Sequence, residues 1–108
     1  MNDPQPSPDA IEDADIEHLL NAQAGRLSWP ELQRHFARGV VLRVAADLDL
    51  IAVAAAVVRD EKPKVQTWME LGKLGKADVA DARRWEATAP DFWAVVAAPW
   101  VLVQETDN

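Results

Sequence analysis

The chain has 108 residues, 49 % of them apolar, and carries a net charge of −7 with no cysteine. Its length fits one domain with a core of its own. The lack of cysteine excludes a disulfide scaffold, a thiolate metal site and a cysteine nucleophile. The basic residues form no stripe, so we expect neither nucleic acid nor a membrane as a partner. The acidic, proline-rich start is not a signal peptide, and a cytoplasmic location is predicted.

The first 25 residues contain six acids and no base. Residues 1–8 hold three prolines and are predicted to form a disordered arm. A single domain is expected over 9–105, followed by a tail at 106–108. A helix is predicted to begin at Asp9 and to end near Gly25, with an apolar stripe at Ile16, Leu19 and Leu20.

Ser28 and Glu31 have the spacing of a capping box, with Pro30 tolerated in the first helical turn. This pattern predicts a second helix that ends at Gly39. Its apolar positions lie on one face: Trp29, Leu32 and Phe36.

The segment 40–44 reads as a short strand. The following apolar segment, 48–58, fits either a strand or a buried helix, and its alanines favour a helix capped by Asp47. Two more helices are predicted, one from Pro63 to Gly72 and one that begins at Asp78 and Asp81.

The run from Phe92 to Val103 has no polar side chain. Such a run predicts a strand over 93–103 that is buried on both faces. Pro99 places part of it at a sheet edge, or kinks the chain and splits it into two short strands. The fold class is therefore α+β, with about five helices on a sheet of two strands (40–44 and 93–103). Because two strands make a marginal sheet, extension of the sheet across a dimer is a further expectation.

Three blocks of residues stand out together: WPELQRHFARGVV at 29–41, DLDL at 47–50 and FWAVVAAPWVLVQE at 92–105. They resemble a small bacterial family that is catalogued only as a domain of unknown function. The resemblance extends from about Leu19 to Glu105. It implies a stand-alone, single-domain bacterial protein, and it implies no activity and no catalytic residues.

One stripe of the second helix carries Glu31, His35 and Arg38 at i, i+4 and i+7. Beside a pocket lined by tryptophan, Glu31 could orient His35 while Arg38 held an anion. A solvated helix face explains the same spacing. We predict no catalytic residue and no cofactor. No metal site is predicted either, because the two histidines fit no metal motif.

The apolar C-terminal strand favours a different class of function. A long apolar edge invites pairing with a second copy of the chain. We therefore predict a non-enzymatic, self-associating interaction module, most simply a homodimer. The residues expected at the interface are Trp93, Trp100, Val101 and Val103. The alternative is a small-molecule binder or minor enzyme that uses Glu31, His35 and Arg38.

Overall fold

The structure is a computed structural model that describes residues 8–106, with side chains from Asp15 onward. The predicted arm and tail lie almost wholly outside these residues. The elements in chain order are α1 Pro8–Gln23, β1 Gly25–Ser28, α2 Trp29–Ala37, β2 Val41–Val44, α3 Leu50–Val58, α4 Lys62–Glu70, β3 Leu74–Lys76, α5 Val79–Thr88, β4 Asp91–Ala97 and β5 Trp100–Glu105. Within the described range, no helix combines the length and apolar character needed to cross a bilayer.

The sheet has five strands in the order β1-β4-β5-β2-β3. The β2–β5 pair is parallel and the other pairs are antiparallel. The α+β class and the five helices are confirmed, whereas the two-stranded sheet is wrong. Two strands were missed because β1 and β3 are short edge strands, which carry no long apolar pattern of their own.

The apolar run at 93–103 is a hairpin and not one strand. β4 and β5 pair antiparallel on either side of a turn at Ala98–Pro99, whose peptide bond is cis. Of the two consequences predicted for Pro99, the split into two short strands is the one found. Both strands have a partner strand on each side, although the ladder between β1 and β4 ends at Ala94, and residues 95–97 of β4 lie beyond it.

Helices cover both faces of the sheet. Along β5, Leu102 points to one face, while Val101 and Val103 point to the other. We call the first the aliphatic face, because α1, α3 and α4 pack there with many alanine, valine and leucine side chains. We call the second the aromatic face, because α2 and α5 bring Trp29 and Trp85 onto it.

α2 begins with the predicted capping box, and α5, which begins where predicted, has a capping box as well. Ser28 accepts a hydrogen bond from the N–H of Glu31, and Asp78 accepts one from the N–H of Asp81. Gly39 follows α2 with a φ of 75°. This is a left-handed conformation that glycine adopts without a steric penalty, and it lets the chain turn directly into β2.

The ambiguous segment 48–58 is a helix, α3, but its cap is Asp49 and not Asp47. The Asp49 carboxylate accepts from the N–H groups of Ile51 and Ala52 at 2.9 and 3.2 Å. Asp47 instead accepts from the ammonium of Lys73 at 2.5 Å, and this hydrogen bond lowers the pKa of Asp47. Both carboxylates precede the helix, and the sequence pattern alone does not separate them.

α4 covers the aliphatic face incompletely. Two of its side chains pack against the core, but no residue of the helix is fully buried. Val65 and Trp68 are half-buried, and Met69 is 51 % exposed. A groove therefore remains between α4 and the sheet.

Candidate functional site

The three residues predicted as a ligand site lie on α2, but they have separate roles there. The Glu31 carboxylate accepts from the backbone N–H of Ser28 at 3.0 Å and from its hydroxyl at 2.9 Å. The backbone hydrogen bond from Ser28 is the main cause of a lowered pKa for Glu31. Glu31 is thus committed to the start of the helix.

His35 is half-buried and Arg38 is exposed at the C-terminal end of α2. His35 borders a shallow groove of about 240 Å³, together with Ala94, Val96 and Val101. No tryptophan lines this groove. The backbone N–H of Arg38 donates to the carbonyl of His35 at 3.2 Å, but among the described residues no side-chain hydrogen bond or ion pair joins Glu31, His35 and Arg38. The helix aligns them, but it does not gather them around one cavity.

The four residues predicted at an interface differ in how far they are exposed to solvent. Val101 and Val103 are 5 % and 1 % exposed and belong to the core of the aromatic face. Trp100 is half-buried against the aliphatic core. Trp93 is 41 % exposed. Only Trp93 presents a large, open apolar surface, so the expectation that the C-terminal run has no solvent-facing position is wrong.

Trp93 stands beside a groove on the aliphatic face, which we call the Trp93 groove. Its volume is about 470 Å³, and its walls come from the end of α1 and the start of α3. The guanidinium of Arg26, on the neighbouring strand β1, lies 5.1 Å from the centre of the Trp93 ring. This contact holds the indole in place by cation–π attraction. The lining includes Ala24, Leu48 and Ile51.

A second groove, of about 510 Å³, lies on the same face at the other end of α3. We call it the Trp100 groove. Trp100 and Leu42 form part of its floor, and α4 forms one wall. Lys62 and Lys76 stand among its lining residues. Neither lysine drew attention in the sequence, because α4 and β3 approach each other only in the folded chain.

A chain of ion pairs joins three elements on the aromatic side of the sheet. The buried carboxylate of Asp81 accepts from the Nε of Arg43 at 3.1 Å and from the Nη1 of Arg84 at 3.2 Å. Arg84 also reaches Glu105 at 3.3 Å. Asp81 was predicted only at a helix start, and no local spacing connects it with Arg43. The network ties α5 to β2 and β5.

Metal-binding clusters are not found in the described part of the chain. No three side chains of histidine, cysteine, aspartate or glutamate gather there closely enough to hold an ion.

Comparison with known proteins gives a family. The profile of a family described as "Protein of unknown function (DUF2288)" matches residues 15–105, and the chain belongs to this family. No curated protein matches the sequence. One similar solved structure is the NMR solution structure of PA1075 from Pseudomonas aeruginosa, which is 36 % identical. The alignment covers 98 % of this chain and 95 % of that one, with a TM-score of 0.77.

Proposed function

We propose that this member of the DUF2288 family is a non-enzymatic, self-associating protein-interaction module, most simply a homodimer. The observation that carries the proposal is Trp93, an indole that is 41 % exposed although it lies on an interior strand of the sheet. Tryptophan and arginine are enriched at the centres of protein interfaces. Trp93 and Arg26 form such a pair on the surface.

The shape of this surface supports pairing between identical copies. Trp93 borders the Trp93 groove, so each copy offers both a projecting indole and a concave apolar wall. In a two-fold dimer every contact occurs twice, and the indole of one copy meets the groove of the other. The interface would then lie on the aliphatic face, beside α1 and the start of α3.

The edge strand β1 gives less support to a dimer built by sheet extension. A free edge pairs through its unused N–H and C=O groups. In β1 the N–H of Ser28 already donates to the Glu31 carboxylate at 3.0 Å. Only a four-residue strand remains at this edge. Face-to-face contact through Trp93 therefore needs fewer rearrangements than edge-to-edge pairing.

The non-enzymatic part of the proposal rests on what the charged groups already do. Glu31, Asp49 and Asp78 cap helices, and Asp81 joins two arginines. The alternative, a ligand site at Glu31, His35 and Arg38, stays a prediction. It draws on a shared helix and on one shallow groove beside His35.

Light scattering across a concentration series tests self-association. The expected mass is twice the 11.9 kDa of the chain at high concentration. Each copy carries a net charge of −7, so added salt should strengthen the association by screening repulsion. A mass of 11.9 kDa at every concentration and salt level would contradict the proposal.

Trp93→Ala locates the interface. We expect it to shift the scattering mass to that of one chain while the chain stays folded, because Trp93 belongs to neither core cluster. Val96→Ser is the matched control, since Val96 is 54 % exposed on the same strand but on the opposite face. If both variants dissociate equally, or if neither does, Trp93 is not the centre of the interface.

A further inference from the structure

The Trp100 groove has the size and lining of a small-molecule site. Ligand pockets in proteins are commonly about 300–1,000 Å³ and mostly apolar, with a few polar groups. This groove has a volume of about 510 Å³. Its apolar lining consists of Leu42, Val57, Val65, Met69, Leu74 and Trp100.

The groove exists because two elements leave the sheet partly uncovered. α4 buries none of its side chains completely. On the edge strand β3, the residue opposite Leu42 is Lys76, so a charged side chain stands where an apolar one would close the core. The result is a groove in which Leu42 and Leu74 lie buried at the base, while Met69 and the half-buried Val65 and Trp100 leave apolar surface open to solvent.

The polar groups of this groove are two lysines, Lys62 and Lys76, with Gln66 and one carboxylate, Asp60. Lys76 has no ion-pair partner among the described residues. Lys62 has one, Asp60, at 3.9 Å, and both side chains of that pair are more than three-quarters exposed. Such an exposed pair contributes little and opens readily. The two ammonium groups outnumber the one carboxylate, so the groove carries a local excess of positive charge in a chain of net charge −7, and this favours an anion.

We propose that the Trp100 groove binds a small amphipathic carboxylate. The apolar body of the ligand lies against Trp100, Val65 and Met69, where it covers apolar surface that is open to solvent. The carboxylate lies at the mouth of the groove and accepts hydrogen bonds from Lys76 and Lys62. The site is separate from the Trp93 groove, which lies at the opposite end of α3.

Decanoate, decanol and decyltrimethylammonium each carry a ten-carbon chain but differ in the charge of the head group. Comparing their affinities tests whether the groove prefers a negative charge. Each is titrated below its critical micelle concentration, and binding is followed by ¹H–¹⁵N NMR shifts. Decanoate should shift the amides of the Trp100 groove and bind several-fold more tightly than decanol, and the cation should bind most weakly. Equal binding of all three compounds, or shifts centred on the Trp93 groove, would overturn the proposal.

Two substitutions test the residues named. Lys76→Gln should weaken decanoate about two- to fivefold and leave decanol unchanged, as expected for loss of one partly exposed ion pair. Lys64→Gln is the control, because Lys64 is a lysine of α4 that does not line the groove. Met69→Glu places a negative charge at the exposed wall and should abolish decanoate binding. If Lys76→Gln and Lys64→Gln act alike, the carboxylate does not lie at Lys76.

Discussion

The two faces of the sheet are covered by different kinds of side chain. On the aromatic face, Trp29, Phe36, Trp85 and Phe92 touch one another, with ring centroids between 4.9 and 5.9 Å apart. On the aliphatic face, five of the nine residues of α3 are buried, and three of those five are alanines. One face is held by a few large side chains and the other by many small ones.

This difference decides where a single substitution does most damage. A buried aromatic side chain covers about 150–250 Å² of surface, several times what one alanine covers. The aromatic face therefore concentrates its stability in very few positions. The aliphatic face spreads its stability along α3 and tolerates a loosely seated neighbour, α4, whose partial cover leaves the Trp100 groove open.

Trp85→Ala should break the aromatic face and give the largest loss of stability. Trp85 is 0 % exposed and contacts both Trp29 and Phe92. Its removal should cost about 3–5 kcal/mol in urea unfolding, from lost burial and from the cavity left behind. Val53→Ala, at a 1 % exposed position of α3, is the comparison on the aliphatic face, with an expected cost of about 2 kcal/mol.

Trp85→Phe sharpens the same test. The Nε1–H of Trp85 is buried without a hydrogen-bond partner among the described residues. Phenylalanine removes this donor and keeps most of the ring contact, so it should cost much less than alanine. If Trp85→Ala costs no more than Val53→Ala, the contrast between the faces does not hold.

The helix caps provide a second, smaller comparison. Ser28→Ala at the start of α2 and Asp49→Ala at the start of α3 should each cost about 0.5–2 kcal/mol, because each removes a side-chain acceptor for backbone N–H groups. Asp47→Ala is the control for the aliphatic face and should cost less than Asp49→Ala, since Asp47 forms a surface pair with Lys73. An equal loss of stability at positions 47 and 49 would mean that Asp49 is not the dominant cap of α3.

The caps also mark how far the sequence predicts the fold. Ser28 with Glu31 and Asp78 with Asp81 satisfy neighbouring backbone groups, so their roles follow from spacing alone. Asp49 was missed as the cap of α3 because Asp47 is also an aspartate that shortly precedes the helix. Asp47 pairs with Lys73 instead of capping the helix, and Lys73 is distant in sequence.

The sheet and the grooves depend still more on distant parts of the chain. β1 and β3 are strands only because β4 and β2 lie beside them. The exposure of Trp93 was not predictable, since an apolar run of twelve residues suggests burial on both sides. The sequence did predict a stripe of Glu31, His35 and Arg38, but the Trp93 and Trp100 grooves form elsewhere, where helices from separate segments meet the sheet.

Glu31→Gln should have the smallest effect, and a pH-dependent one. The pKa of Glu31 is lowered by the hydrogen bond from Ser28, so its charged form stabilises the folded state. This contribution is present above the usual glutamate pKa of about 4.3 and disappears as pH falls through the lowered value. The melting temperatures of the wild type and Glu31→Gln should differ at pH 7 and converge as the pH falls below the lowered pKa of Glu31. A constant difference would assign the effect to something other than the charge.

The position of β5 has a consequence for biosynthesis. β5 is the last strand in chain order, yet it lies at the centre of the sheet, between β4 and β2. Until it leaves the ribosome, β1 with β4 and β2 with β3 remain two separate pieces that share no ladder. Two-stranded pieces of this kind are marginal in water. The nascent chain therefore completes its sheet only after translation has passed residue 105, and during synthesis its apolar strands depend on early helix packing, or on chaperones, to avoid aggregation.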